Sequence, residues 1–259
     1  MLETLDISTS QTILLVGLIF LAGFVDSIAG GGGLISLPAY FAAGLPAHTA
    51  LATNKFSSSI GTFSSVIRYF KAGKIHLKVG ILAAIGAIIG SAIGAKIALL
   101  VSEGIINSIM LVLVPVVLVF FLLQNKIMPK PGQSSKSSFK GSKSFVIGMV
   151  IGCYDGFFGP GTGAFMTIAF FSFLRLDMIS SSANARMTNL ASNLGSLIIF
   201  LINAKVLFPL ALYTAIGGVA GNLLGSKLAL KKRERIIRPL LIVVLFLLIA
   251  EVIRQKIYQ

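Results

Sequence analysis

Long apolar runs separated by short polar intervals fix what this chain can become. A transmembrane helix needs about 20 mostly apolar residues. Residues 11–29, 79–95, 104–125, 206–226 and 239–250 reach that length or approach it. Of the 259 residues, 56% are hydrophobic and only 12% charged. A soluble domain carries about 25% charge. A water-soluble globule is therefore excluded, and so is a disordered chain, which needs a solvating composition. What remains is an all-α polytopic membrane protein. The acidic start, Glu3 and Asp6, is unlike the basic start of a cleavable signal peptide, so the first span is expected to be retained.

The net charge of +14 would suggest nucleic acid in a soluble protein. Here the cations lie mostly between the apolar runs, where they read as determinants of orientation, and no nucleic-acid partner is expected. The interval 71–78 carries Lys71, Lys74 and Lys78. The interval 126–143 carries Lys126, Lys130, Lys136, Lys140 and Lys143, and 227–238 is the most basic of all. These three are expected on the cytoplasmic side. The intervals 96–107 and 203–208, nearly neutral, are expected outside with the acidic N-terminus. Residues 126–143, rich in Ser, Lys, Gly and Pro, read as a basic cytoplasmic linker between a first transmembrane repeat, 1–125, and a second, 144–259.

The two parts match each other. Gly23, Asp26, Gly30 and Gly32 recur 129 positions later as Gly152, Asp155, Gly159 and Gly161. Thr53-Asn54 recurs as Thr188-Asn189, and Gly86, Gly90, Gly94 and Lys96 as Gly217, Gly221, Gly225 and Lys227. The charge bias of corresponding intervals is reversed: 71–78 is basic where 203–208 is not, and 227–238 is basic where 96–107 is neutral. That reversal predicts two inverted-topology repeats with an odd number of segments each, and hence transport at a site between them. Five segments per half, ten in all, put both termini outside. The Gly-rich pair in each half either crosses fully or re-enters.

Several residues could carry the chemistry. Gly30, Gly31, Gly32 and Gly33 interrupt one segment, with Pro38 as a further interruption, and Gly159, Pro160, Gly161, Thr162 and Gly163 interrupt its counterpart. A half-helix starting after such a break offers its positive end to an anion; close helix packing is the competing reading. The breaks lack the Lys-Ser/Thr ending of a nucleotide-binding loop. Asp26 and Asp155 are the only acids placed within apolar spans. Intramembrane carboxylates are costly and mark function, so both are proton-coupling candidates, with capping of freed N–H groups as the alternative. Residues 52–70 and 184–203 are too polar to face lipid. Their stripes include Thr53, Asn54, Ser57 and Ser58, and Arg186, Thr188, Asn189, Asn193 and Ser196. Substrate lining is the functional reading, with Lys55 and Arg186 as the stripes' cations; hydrogen bonding between helices, with Arg186 paired to an acid, is the alternative. One cysteine, Cys153, and two histidines, His48 and His76, offer no metal site, cofactor site or nucleophile with its base, so no enzyme is expected. The two Gly-xxx-Gly-xxx-Gly runs read as packing motifs.

Gly23-Phe-Val-Asp-Ser-Ile-Ala-Gly-Gly-Gly-Gly, Leu37-Pro38 and Ala52-Thr53-Asn54-Lys55 resemble the TauE/SafE sulfite exporter family, and Gly156-Phe-Phe-Gly-Pro-Gly-Thr-Gly with Met187-Thr188-Asn189 resembles that family's second repeat. The resemblance covers nearly the whole chain. Pro160 and Thr162 depart from a plain glycine run. The resemblance implies a multi-pass permease of the plasma membrane for sulfur-containing or organic anions such as sulfite or sulfonates, with the glycine breaks and Thr-Asn pairs at the site. Export is the expected direction, with a proton-coupled importer or an anion channel as alternatives. The expected partners are a small anionic substrate and the lipid bilayer, and a homo-oligomer is left open.

Overall fold

The computed structural model describes residues 8–127 and 141–231. Most of the expected linker, the span at 239–250, Glu3, Asp6 and the basic residues of 232–238 lie outside the described residues. Those described form helices joined by short turns: α1 (Thr9–Ala29), α2 (Gly33–Ala42), α3 (Ala47–Lys71), α4 (Leu77–Leu100), α5 (Glu103–Ile127), α6 (Gly141–Phe157), α7 (Thr162–Leu174), α8 (Met178–Ile202) and α9 (Phe208–Leu230). Five of them, α1, α4, α5, α8 and α9, are long and apolar enough to cross a bilayer.

Local chemistry sets the ends. Ser8 and Gln11 close a capping box on α1. Gly30 ends α1 in the left-handed region, at φ 84°. The chain then doubles back, because Gly32 lies against Ala22 and Asp26 of α1. The second break is made alike, with Gly159 and Gly161 both at positive φ between α6 and α7. At 10 and 13 residues, α2 and α7 run only about 15–20 Å, short of the ~30 Å hydrocarbon core. Pro38, expected to interrupt, sits inside α2. Its missing N–H frees a single carbonyl, and complete burial of Leu34, Ile35 and Leu37 holds the helix around it.

The glycine runs determine which helices touch. Gly86, Gly90 and Gly94 of α4 rest on the carbonyls of Phe145, Met149 and Cys153 of α6, and Gly148 and Gly156 press back on Ala83 and Ser91. Gly217, Gly221 and Gly225 of α9 rest in the same way on Val16, Phe20 and Phe24 of α1. Only a residue without Cβ permits backbones this close. Numbering rises together along both seams, so α1 runs parallel to α9, and α4 to α6. The first helix of each half therefore packs on the fourth helix of the other. The opposite faces of α4 and α9 expose Ile81, Ile85, Ile89 and Ile93, and Leu212, Ile216 and Leu224, as lipid-facing helices do.

The polar helices α3 and α8 lie at the centre, in contact with each other and flanked by α9 and α4. Every residue from Ala47 to Lys55 and from Ser180 to Arg186 is buried. Several of their hydroxyls return hydrogen bonds to their own helix, as from Ser59 to the Lys55 carbonyl and from Thr188 to that of Asn184. That satisfies those hydroxyls where water is absent. His48 ties the start of α3 to the end of α4 and the start of α5, 3.0 Å from the Ala98 carbonyl and 3.3 Å from Glu103.

Candidate substrate site

The two glycine breaks meet. The Ala164 N–H donates to the Gly30 carbonyl at 3.2 Å, and a Cβ on Gly30 would strike the backbone of Gly163 and Ala164. Beside this junction, between α1, α2, α3, α6, α7, α8 and α9, is a cavity with about 40 Å³ of room for the centres of water-sized molecules. That is enough for a few waters or one small ion.

Most of the residues singled out in the sequence border it: Asp26, Gly30, Gly32, Gly33, Asn54, Asp155, Gly159, Thr162, Gly163, Asn189 and Asn193, together with Lys55. Five do not. Gly31 and Gly161 turn the chain behind the wall, with Gly161 against Val117. Thr53 accepts from the Leu207 N–H at 3.2 Å, joining α3 to the start of α9. Thr188 bonds within its own helix, and Arg186 lies fully buried behind the junction. Ser36, Thr62 and Asn222 also border the cavity without having been singled out. Asn222 could have been found, as the only side-chain amide in the apolar run 206–226; its neighbours Gly221 and Gly225 direct attention to packing.

Two ion pairs cross between the halves. Asp26 of α1 accepts from Arg186 of α8 at 2.7 Å, and Asp155 of α6 accepts from Lys55 of α3 at 2.7 Å. Asp26 also accepts from the Gly32 N–H at 3.3 Å, so it both pairs with a cation and caps the first break. Asp155 accepts from the Ser192 hydroxyl at 2.6 Å, and Lys55 donates to Asn193 Oδ1 at 3.1 Å. The four charges sum to zero, so no uncompensated charge is held at this depth.

Donors remain for a guest. The N-terminal residues of both half-helices, Gly32 and Gly33 for α2 and Thr162 and Gly163 for α7, border the same cavity; the Gly32 N–H is given to Asp26 and the Thr162 N–H to the Gly159 carbonyl, which leaves those of Gly33 and Gly163 without a partner among the described residues. First-turn N–H groups lack partners inside their helix and carry partial positive charge. The Asn189 amide and the Asn54 Nδ2 find no protein partner among the described residues. No group of three or more His, Cys, Asp or Glu among those residues could hold a metal ion. The arrangement fits a small anion bound by amides, helix ends and an ammonium.

A model of the family described as sulfite exporter TauE/SafE matches residues 15–252. The chain is similar to the probable membrane transporter protein YfcA of Escherichia coli K12, with 33% identity over 249 residues that cover 94% of this chain and 91% of the relative. It is similar to the probable membrane transporter protein ORF9 of a Sinorhizobium species, with 34% identity over 231 residues covering 87% and 85%. A Bacillus subtilis relative, the probable membrane transporter protein YdhB, is 24% identical over 219 residues covering 83% and 89%. No solved structure matches.

Proposed function

Because this chain belongs to the sulfite exporter TauE/SafE family and is a multi-pass membrane transporter, we propose that its cargo is a small sulfur-containing or organic anion, such as sulfite or a sulfonate, and that it moves the cargo out of the cell. The observation that carries this reading is the convergence of two half-helix N-termini, one from each half, on a single cavity that also holds Lys55. Half-helices aimed at a central site are how membrane carriers receive an anionic group without free cations. The same reading takes the halves as inverted repeats. Its support is the parallel pairing of α1 with α9 and of α4 with α6. Helix α4 turns back on α3 through five residues, and α3 runs alongside α9 in the same sense, with Thr53 beside Leu207 and Gly61 beside Gly218. Helices α1 and α6, which correspond in the repeat, then point opposite ways.

Outward movement follows from energetics. Across about 100 mV, inside negative, expulsion of one negative charge gains about 2.3 kcal/mol, a gradient of roughly 50-fold with no coupling ion. Inward movement of the same anion against that potential needs co-transported protons or similar help. The two carboxylates on the cavity wall, Asp26 and Asp155, favour that second reading. Flux of labelled sulfite from proteoliposomes under an imposed potential tests both. Uncoupled export predicts saturable flux that follows voltage, and coupling predicts flux that follows the pH gradient. Flux that ignores both defeats the carrier reading, and unitary current steps would make the protein a channel.

A further inference from the structure

The two crossed ion pairs have corresponding acids, yet their cations differ in what they can reach. Lys55 borders the cavity, and Arg186 does not. A lysine ammonium has three N–H donors. Two are used, on Asp155 at 2.7 Å and on Asn193 at 3.1 Å, and the third has no protein partner among the described residues. Lys55 also stands beside the second glycine break: a Cβ on Gly159 would lie 3.4 Å from its Nζ. Arg186 instead fills the junction of the two breaks. A Cβ on Gly30 would come 2.8 Å from its Nη2, and one on Gly163 would come 2.9 Å from its Cζ. Its Nη1 is held by Asp26, and its Nε and Nη2 are buried without partners among the described residues. Nη2 lies against the two glycine positions, and the side chain does not border the cavity.

Resting on the anion reading above, we propose that Lys55 is the cation that contacts the cargo anion, through its third N–H. Arg186 is a positioning residue that clamps the two glycine breaks together through Asp26. Lys55 keeps its bond to Asp155 while it receives the anion, so no buried carboxylate is abandoned. Ser192 and Asn193 hold the two members of that pair from α8. With one spare ammonium donor among amides and helix ends, and with the paired carboxylates of Asp26 and Asp155 on the same wall, the site takes no more than a single negative charge. The sequence pattern treats Lys55 and Arg186 alike as the cations of their stripes; both are buried, and the cavity wall separates them.

The test uses the full chain purified in detergent, titrated with isethionate and, separately, with sulfite, and followed by thermal shift and calorimetry. Wild type is expected to be stabilised by both. Lys55→Gln is expected to lower affinity at least tenfold, and Lys55→Arg to restore most of it. Lys55→Gln leaves Asp155 unpaired, so the double variant Lys55→Gln/Asp155→Asn, which removes both charges, provides a second reading and is expected to lose affinity equally. Arg186→Lys is expected to lower the melting temperature more than Lys55→Arg does, while lowering isethionate affinity less than Lys55→Gln does. The assignment is overturned if wild type binds and the folded Lys55→Gln/Asp155→Asn variant binds as tightly. It is overturned equally if folded Arg186→Lys loses more affinity than Lys55→Gln. A wild type that binds neither anion overturns the anion reading itself and this assignment with it.

Discussion

The Asp26–Arg186 and Asp155–Lys55 pairs stand at corresponding acids of two related halves, and each ties one half to the other at 2.7 Å. They differ in surroundings and in chemistry. The arginine side chain is wholly inaccessible and its acid 14% exposed, whereas both partners of the lysine pair are 3% exposed. Arg186 presents a planar fork of donors, whereas Lys55 presents a compact ammonium with three. Two acids in corresponding sequence positions thus hold cations of different kinds. The guanidinium holds the backbone breaks, and the ammonium faces the cavity.

The comparison is broken hardest by removing an acid. Asp26→Asn leaves a guanidinium buried without a counter-ion, a change that costs about 3–5 kcal/mol. Asp155→Asn is expected to cost less, because Lys55 keeps Asn193 as an acceptor and borders the cavity. The fraction of monodisperse protein recovered in detergent, and its melting temperature, should rank wild type above Asp155→Asn and Asp155→Asn above Asp26→Asn. In the flux assay, loss of pH dependence in either variant identifies a proton carrier. Transport and pH profile intact in both would remove the proton role.

The next effect separates the glycines. Gly30 and Gly44 both have φ above 80°, but a Cβ on Gly30 would strike Gly163, Ala164 and Arg186, and one on Gly44 would meet open space. Gly44→Ala should cost about 1–2 kcal/mol, the penalty of the left-handed conformation alone. Gly30→Ala should cost more and should also abolish anion stabilisation, because it pushes the two breaks apart. Thermal denaturation of both variants, with and without isethionate, measures the difference. Equal losses would mean that the junction is looser than its contacts imply.

Charge selectivity is a smaller effect. A site with one spare ammonium donor should favour isethionate, with one charge, over sulfoacetate, with two, by several-fold in a competition assay. The smallest effect is expected outside the site. Asp177 caps α8 by accepting from the N–H groups of Ile179 and Ser180. Partial burial pushes its carboxyl up, but the hydrogen bonds from Ser180 and Ile179 and the charge of Lys74 outweigh that and hold it below the ordinary carboxylate value. A lowered folded value means that its contribution is complete above the unfolded carboxylate range and fades as pH falls through the folded one. Asp177→Ala should cost about 1 kcal/mol at neutral pH and less in acid. A pH series of melting temperatures for wild type and variant checks the sign.

Much of this was legible in the sequence because glycine and charge are expensive in a bilayer. The breaks at Gly30–Gly32 and Gly159–Gly161, the polar character of α3 and α8, and the packing role of the Gly86 and Gly217 runs all follow from that cost. Pairings across the halves were not legible. No local pattern indicates that Lys55 meets Asp155, 100 positions away, or that Asp26 meets Arg186, 160 positions away. Those partners follow from which helices the glycine seams bring together. Asn222 escaped for the same reason, since its place on the cavity wall depends on α9 lying along α1.

Accessibility of the cavity to an anionic thiol reagent tests the central claim most directly. Cys153 is the chain's single cysteine. In a Cys153→Ser background, Asn54→Cys and Asn189→Cys place one thiol from each half on the cavity wall. The account predicts that both react with methanethiosulfonate-ethylsulfonate in membranes and that isethionate slows both reactions. If the reagent labels both thiols at rates isethionate does not change, or reaches neither, the two halves do not share an anion site.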